Sequence, residues 1–404
     1  MNTIIDENTP LKSRWNMLAM IALTGCVFVA MPQMCMPVLF KEISTDLGLD
    51  LVQVGVIWSM IPLSGMFVIL FGGYLSDRFG TKRVLVVGCF LTGLAGILRG
   101  MSDSFVTLSA TMFLFGLLQI ITSPALIRAS TIWFPGKHLG LANGVLSMSM
   151  GFGFLLSSMI SATILSPLLG GWRNVLIAYG IASIVISILW YFTRNDPQHG
   201  DIQAENIAAL PFKETLFKVL KIRRIWILGS IVMWQIGCVQ GMLGYLPIYL
   251  QDVGWNTAMA DGAMATFHGL STLFTVPIVL LSDRLGSRKI MLFATTLMTA
   301  VGVGILTLGS GSNVWIAMVV AGVVRDGFMA LQITILLETK EIGTRYAGTA
   351  IGLIHTISRV GEIISPPMGN SLADINPRFP FILWSGMAVI ALIGFMFFKD
   401  TRRN

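Results

Sequence analysis

Charged side chains are scarce in this sequence. Asp, Glu, Lys and Arg make up 12% of its 404 residues, about half of what a soluble domain carries. So thin a supply cannot clothe a water-exposed surface, which excludes an ordinary soluble enzyme. Cysteine and histidine are equally sparse, at four residues each. Cys26, Cys35, Cys89 and Cys238 lie inside apolar stretches, without metal-ligand spacing and without the density of a disulfide framework. No Ser/His/Asp arrangement, metal site or phosphate-cradling loop is evident, so neither an enzyme nor a cofactor is expected. What is abundant is apolar: 54% of the residues are hydrophobic and the mean hydropathy is +0.78. The chain reads as an integral membrane protein.

A helix needs about 20 mostly apolar residues to cross the hydrocarbon layer. Twelve stretches qualify, at 15–40, 51–75, 84–102, 105–134, 138–168, 172–193, 224–250, 261–281, 289–309, 313–338, 346–373 and 379–398. The first lacks a small-residue cleavage site and precedes eleven others, which argues against a signal peptide. An even number of spans puts both termini on one side. Of the 27 basic residues, 20 fall on that side, including Arg78, Lys82 and Arg83, the central cluster Lys213–Arg224, and Arg284, Arg288 and Lys289. The positive-inside rule therefore predicts cytoplasmic termini in a cell membrane. It also absorbs the net charge of +7, so no nucleic-acid partner is implied.

The segment 195–222 is the only long polar break, and it divides the chain into six-span units at 1–194 and 223–404. The sequence repeats across it. At an offset of 206, Asp46 falls on Asp252, Gly48 on Gly254, Ser76-Asp77-Arg78 on Ser282-Asp283-Arg284, and Gly80 on Gly286. At 208, Ala142, Gly144 and Gly153 fall on Ala350, Gly352 and Gly361. Two parallel six-helix repeats joined by a polar linker form a transporter plan.

The stretch Gly73-Tyr74-Leu75-Ser76-Asp77-Arg78-Phe79-Gly80-Thr81-Lys82-Arg83 resembles the signature loop between helices two and three of the major facilitator superfamily. Its second copy, Leu281-Ser282-Asp283-Arg284-Leu285-Gly286-Ser287-Arg288-Lys289, stands between spans eight and nine. The copies depart from the pattern at Thr81, where a basic residue is usual, and at Val279, which replaces Gly73. The resemblance implies an all-α fold of twelve transmembrane helices in two pseudo-symmetric bundles. It implies alternating access to one central site lined by helices one, two, four and five and their counterparts seven, eight, ten and eleven. It gives Gly73, Asp77, Arg78, Gly80, Asp283, Arg284 and Gly286 a gating role between the halves. The residues alone equally allow a topogenic basic loop.

An ionisable group in the bilayer interior costs roughly 2.5–3.5 kcal/mol on insertion scales and marks function by default. Five stand out: Arg128 in span four, Arg325 and Asp326 in span ten, and Arg359 and Glu362 in span eleven. Three positive charges face two negative ones, which leaves one for an anion. Protonation of Glu362 or Asp326 would free a second. Arg359 and Glu362, three residues apart, can meet on one helix face; Arg325 and Asp326 point about 100° apart. A fixed salt-bridge cluster is the competing account. The run Pro124–Pro135 around Arg128, ending Trp133-Phe134-Pro135, is similar to the corresponding helix of organic-anion symporters, which implies carboxylate contact at Arg128. Snorkelling, or a pairing with Asp77, would also explain it. His355, one turn before Arg359, and His268 are candidate proton carriers. Gln33, Gln235 and Tyr245 are candidate hydrogen-bonding groups of a cavity, and Gly151, Gly153, Gly352 and Gly361 suit close packing between the halves. Arg99 and Asp103 read as a peripheral pair.

Phosphate-ester, nitrate and monocarboxylate carriers of the superfamily place arginines where this sequence has none. The organic-anion and cyanate-permease-like branches fit better. The expected function is proton-coupled transport of a small organic anion, a carboxylate, by a monomer in lipid. The alternative is proton-driven efflux of hydrophobic compounds.

Overall fold

The described residues are almost entirely helical, with no strand among them. A computed structural model describes residues 11–68, 75–76, 78–193, 212–309, 311–339 and 341–398. Helix α1 runs Leu11–Leu23, continues as a π-helical stretch Thr24–Ala30 and ends as Met31–Leu47. Then come α2 (Leu51–Val68), α3 (Thr81–Gly100), α4 (Phe105–Trp133), α5 (Leu139–Leu169, π-helical over Ser161–Leu165) and α6 (Trp172–Phe192). A linker helix, Phe212–Leu220, precedes α7 (Arg223–Asp252), α8 (Thr257–Leu285), α9 (Arg288–Ile305), α10 (Ser312–Leu337), α11 (Gly343–Asn370) and α12 (Phe379–Phe397). Eleven of these are long and apolar enough to span a bilayer. The twelfth, α11, has the 28 residues needed but carries the charges already named, and it is packed against α7 and α2.

Local chemistry sets the ends. Ser104 opens α4 with a capping box closed by Thr107. Asn256 caps α8 through the Met259 amide, and Ser287 caps α9 through the Ile290 amide. These side chains satisfy amides that a helix start leaves without partners. At the motif loops Gly80 and Gly286 take φ of +83° and +70°, a region that costs any side-chain-bearing residue but not glycine.

The two halves meet unevenly. Between them α2 packs on α11, α5 on α8, and α1 on α7. At the face away from the linker, one buried apolar cluster draws on both halves: Phe40, Trp58 and Ile61 join Leu243, Tyr245, Phe267 and Trp384. At the linker face each half has its own cluster, with Leu18, Val84, Trp133 and Trp190 in the first and Leu228, Met291, Leu331 and Phe395 in the second. The bundle is therefore closed at the distal face and divided at the linker face. Polar ties reinforce the closure. Trp58 Nε1 donates to Gln240 O at 2.9 Å, Ser59 Oγ to Ile363 O at 2.8 Å, and Asn370 Nδ2 to Leu51 O at 2.7 Å. Lys41 pairs with Asp252 across the rim. Small residues permit the approach: a Cβ at Gly55 would lie 2.7–2.8 Å from the Pro366–Pro367 backbone, and Gly151 abuts Thr272 of α8. Gly153 and Gly361 instead serve packing within their own halves, facing Cys26 of α1 and Met233 of α7. Outer helices α3, α6, α9 and α12 expose apolar side chains such as Leu94, Val185, Leu297 and Ile393.

Candidate substrate site

The seam between the halves holds both arginine–acid pairs of the second half. Arg325 Nη1 meets Asp326 Oδ1 at 2.5 Å, so the long guanidinium stem curls back onto a neighbour whose Cβ points elsewhere. Its guanidinium also lies 5.7 Å from the ring centre of Phe154 on α5, in the other half. Arg359 Nη1 meets Glu362 Oε2 at 2.7 Å, one helical turn along α11. A Cβ at Gly65 on α2 would lie 3.1 Å from Arg359 Nε, so the absent side chain there makes room for the arginine. Both arginine side chains keep about a quarter of their surface exposed and that of Glu362 about a tenth. These are ion pairs on two helices of the second half, each beside a helix of the first: α5 for Arg325 and α2 for Arg359. Arg359 Nε has no hydrogen-bond partner among the described residues, and it lies against Gly65 of α2 at the seam.

Other expected residues lie elsewhere. Arg128 is half-buried on α4, eight residues or about 12 Å nearer the linker face than Ile120, which stands level with Gly65 and Arg359. It does not join the other two arginines at one depth. Gln33 is half-buried on α1. Gln235 is buried with its amide donating to Thr299 Oγ1 on α9 at 2.8 Å, and Tyr245 donates to Pro377 O at 3.1 Å amid Tyr249, Phe381 and Trp384. The Gln235 amide nitrogen and the Tyr245 hydroxyl are thus committed inside the second half. His355 turns toward α10, beside Gln332 and Leu336. His268 is buried between Phe154 and Phe267, with neither ring nitrogen hydrogen-bonded among the described residues.

Of the motif residues, Gly73 and Asp77 lie outside the described residues. Arg78 stacks on Phe79. In the second copy the buried cation is Arg288, which reaches Asp283 at 2.5 Å, Glu338 at the end of α10 at 3.4 Å, and Ser282 Oγ at 3.1 Å. The expected Arg284 is exposed. Arg284 stands in the last turn of α8, and the chain turns at Gly286 before Arg288 opens α9, so the two arginines belong to different helices.

Sequence reasoning missed three groups. Arg99 has no peripheral pair with Asp103. It is wholly buried, donating to Pro32 O of α1 at 3.0 Å and stacked 3.7 Å over Phe115, while Nε and Nη2 have no partner among the described residues. Glu42 and Asp261 were placed at or beyond span ends. Helix α1 instead runs on to Leu47, and α8 begins at Thr257, so both carboxylates belong to helices. Asp261 accepts from Thr163 Oγ1 of α5 at 2.6 Å, and Glu42 from Ser166 Oγ of α5 at 2.6 Å. The capping Asn256 was the available signal for the earlier start of α8.

The model of the Major Facilitator Superfamily matches residues 21–366 and 262–404. A probable sulfoacetate transporter of Cupriavidus necator is 24% identical over 88% of this chain and 87% of its own length. A probable galactarate/D-glucarate transporter of Bacillus subtilis is 23% identical over 93% and 90%. A probable nitrate/nitrite antiporter of Thermus thermophilus is 26% identical over 90% and 86%. Among solved structures, a point mutant of the nucleoside transporter NupG superposes with a TM-score of 0.80 at 14% identity, covering 95% of this chain and 99% of that one. A bacterial homologue of the lysosomal transporter Spinster, inward-facing and occupied, gives 0.77 at 16% identity over 95% and 96%. The chain belongs to the Major Facilitator Superfamily and is a secondary transporter.

Proposed function

We propose that this carrier moves a small organic anion, a carboxylate or sulfonate, by alternating access coupled to protons. One observation carries the reading: Arg325 and Arg359 both sit at the seam, each bound to an acid and each reaching a helix of the opposite half. An incoming anion can replace an acid as the partner of an arginine, and protonation of Asp326 or Glu362 lowers the cost of that exchange. The relatives named for sulfoacetate and glucarate support the anion class. With the linker face in the cytoplasm, the conformation described is inward-facing.

The test is uptake of radiolabelled D-glucarate and sulfoacetate into proteoliposomes under an imposed pH gradient. Gradient-driven uptake of one of them is expected. Arg359→Gln is expected to weaken it by roughly 10- to 150-fold in affinity, the range given by a charge-assisted hydrogen bond of about 1.5–3 kcal/mol. Undiminished uptake by both Arg359→Gln and Arg325→Gln would refute the anion site. Gradient-driven movement of lipophilic cations in place of both anions would favour export of hydrophobic compounds.

A further inference from the structure

We infer that Asp261 is a proton-binding site that holds the distal face closed when protonated and favours its opening when ionised. The inference rests on the proton-coupled reading above and names a residue for it outside the two arginine pairs. Asp261 is 1% exposed. It lies in the second turn of α8, beyond the free amides of the helix start, and its bonding partner belongs to the other half: Thr163 Oγ1 donates to Oδ2 at 2.6 Å. Oδ1 is buried with no hydrogen-bond partner among the described residues. Thr163 stands in the π-helical stretch of α5, a local irregularity often found at functional positions.

The charges around it make the anion a poor occupant of the closed state. Helix α5 carries no charged residue between Leu139 and Leu169. On α1, Glu42 is near enough to act on Asp261 electrostatically, and it is another acid, held by Ser166 one turn along α5 from Thr163. On α7, Asp252 is tied to Lys41 at the rim. On α10, Arg325 and Asp326 pair with each other beside Ser271 of α8, ten residues or about 15 Å deeper than Asp261. On α9, Arg288 and Lys289 lie at the opposite end of the bundle. On α8 itself, His268 is two turns further in and enclosed by Phe154 and Phe267. A carboxylate shut away from water, without a paired cation among the described residues and with Glu42 for a neighbour, carries a desolvation cost that the neutral acid avoids. Parting α5 from α8 to open the distal face would strip off Thr163 and bring water to Asp261, and there the ionised form loses its handicap. One proton thus distinguishes the closed from the open arrangement, which is the requirement for coupling.

The experiment needs no substrate. Met101→Cys and Leu308→Cys, on exposed distal-face positions of the two halves, are spin-labelled in a Cys26→Ser background, and their separation is measured in lipid nanodiscs from acid to alkaline pH. The open-to-closed ratio is expected to rise with pH, by up to about tenfold per unit for a single linked proton. Asp261→Asn, a fixed mimic of the protonated acid, is expected to stay closed at every pH. Thr163→Val keeps the carboxyl and is expected to displace the profile along the pH axis, which preserves the test should the Asn variant fail to fold. Glu42→Gln is expected to retain the response. A ratio independent of pH in the parent, an Asp261→Asn profile like the parent's, or an unmoved Thr163→Val profile would each overturn the inference. If the labels respond through Asp261 while no anion is transported, the proposed substrate falls and the proton site stands. If transport is proton-driven and Asp261→Asn titrates normally, only the site falls.

Discussion

Gly55→Ala separates helix propensity from packing between the halves. In a helix interior an alanine is worth about 0.5–1 kcal/mol more than a glycine, so a residue that served only α2 would be improved by the change. The structure predicts the opposite sign. An added Cβ would stand 2.7 Å from Pro367 N and 2.8 Å from both Pro366 C and Pro367 Cα. All three are backbone atoms of α11, and none can rotate away as a side chain would. The two adjacent prolines also stiffen that stretch of helix. Relief requires moving α2 away from α11, which loosens the Asn370–Leu51 hydrogen bond a turn away. Overpacking of this kind costs about 1–3 kcal/mol, here charged to the closed distal face alone. The closed-to-open ratio should fall by roughly 5- to 150-fold. Spin labels at Met101→Cys and Leu308→Cys read that ratio directly, and Gly144→Ala, where an added Cβ meets nothing within 4 Å, is the matched control. A Gly55→Ala distance distribution identical to the control's would refute the view that this contact closes the distal face.

Arg99→Met should leave the melting temperature in detergent at or above that of the parent, since a buried cation without a counterion gains little from its single carbonyl contact and an apolar replacement of like size is often neutral or better. Arg99→Ala should lower it, because the guanidinium fills the space over Phe115 and its removal leaves a cavity; equal losses in the two variants would show that the charge itself is needed. Arg288→Gln should destabilise the linker end of the second half by about 1–3 kcal/mol, a range discounted for the half-exposed Asp283, whereas Arg284→Gln should change little. Thermal unfolding of the two variants side by side checks this, and an equal effect would restore Arg284 to the motif's working position.

Composition and periodicity made the twelve helices and their two-fold repeat legible because the bilayer imposes one length and one chemistry on every span. Charge inside a span was legible for the same reason, and so Arg325, Asp326, Arg359 and Glu362 could be named in advance. What such counting could not see was direction. Gln235 and Tyr245 occupy spans that line the seam, yet a rotation of one or two residues sends their polar ends to Thr299 and Pro377 instead. Arg99 shows the same blindness from the other side: an end-of-span position suggested the membrane surface, while the helix turns it inward onto Pro32 and Phe115. Hydropathy also ends a span where the first polar residues appear, and that habit removed Glu42 and Asp261 from view. Helices do not stop at such residues; they stop where a cap or a left-handed glycine ends them, at Gly48 for α1 and before Asn256 for α8. An acid lying between the last apolar residue and the true cap is therefore the position most easily overlooked in a carrier. It is also where a carboxyl can exchange protons with water in one state and be sealed between helices in the other.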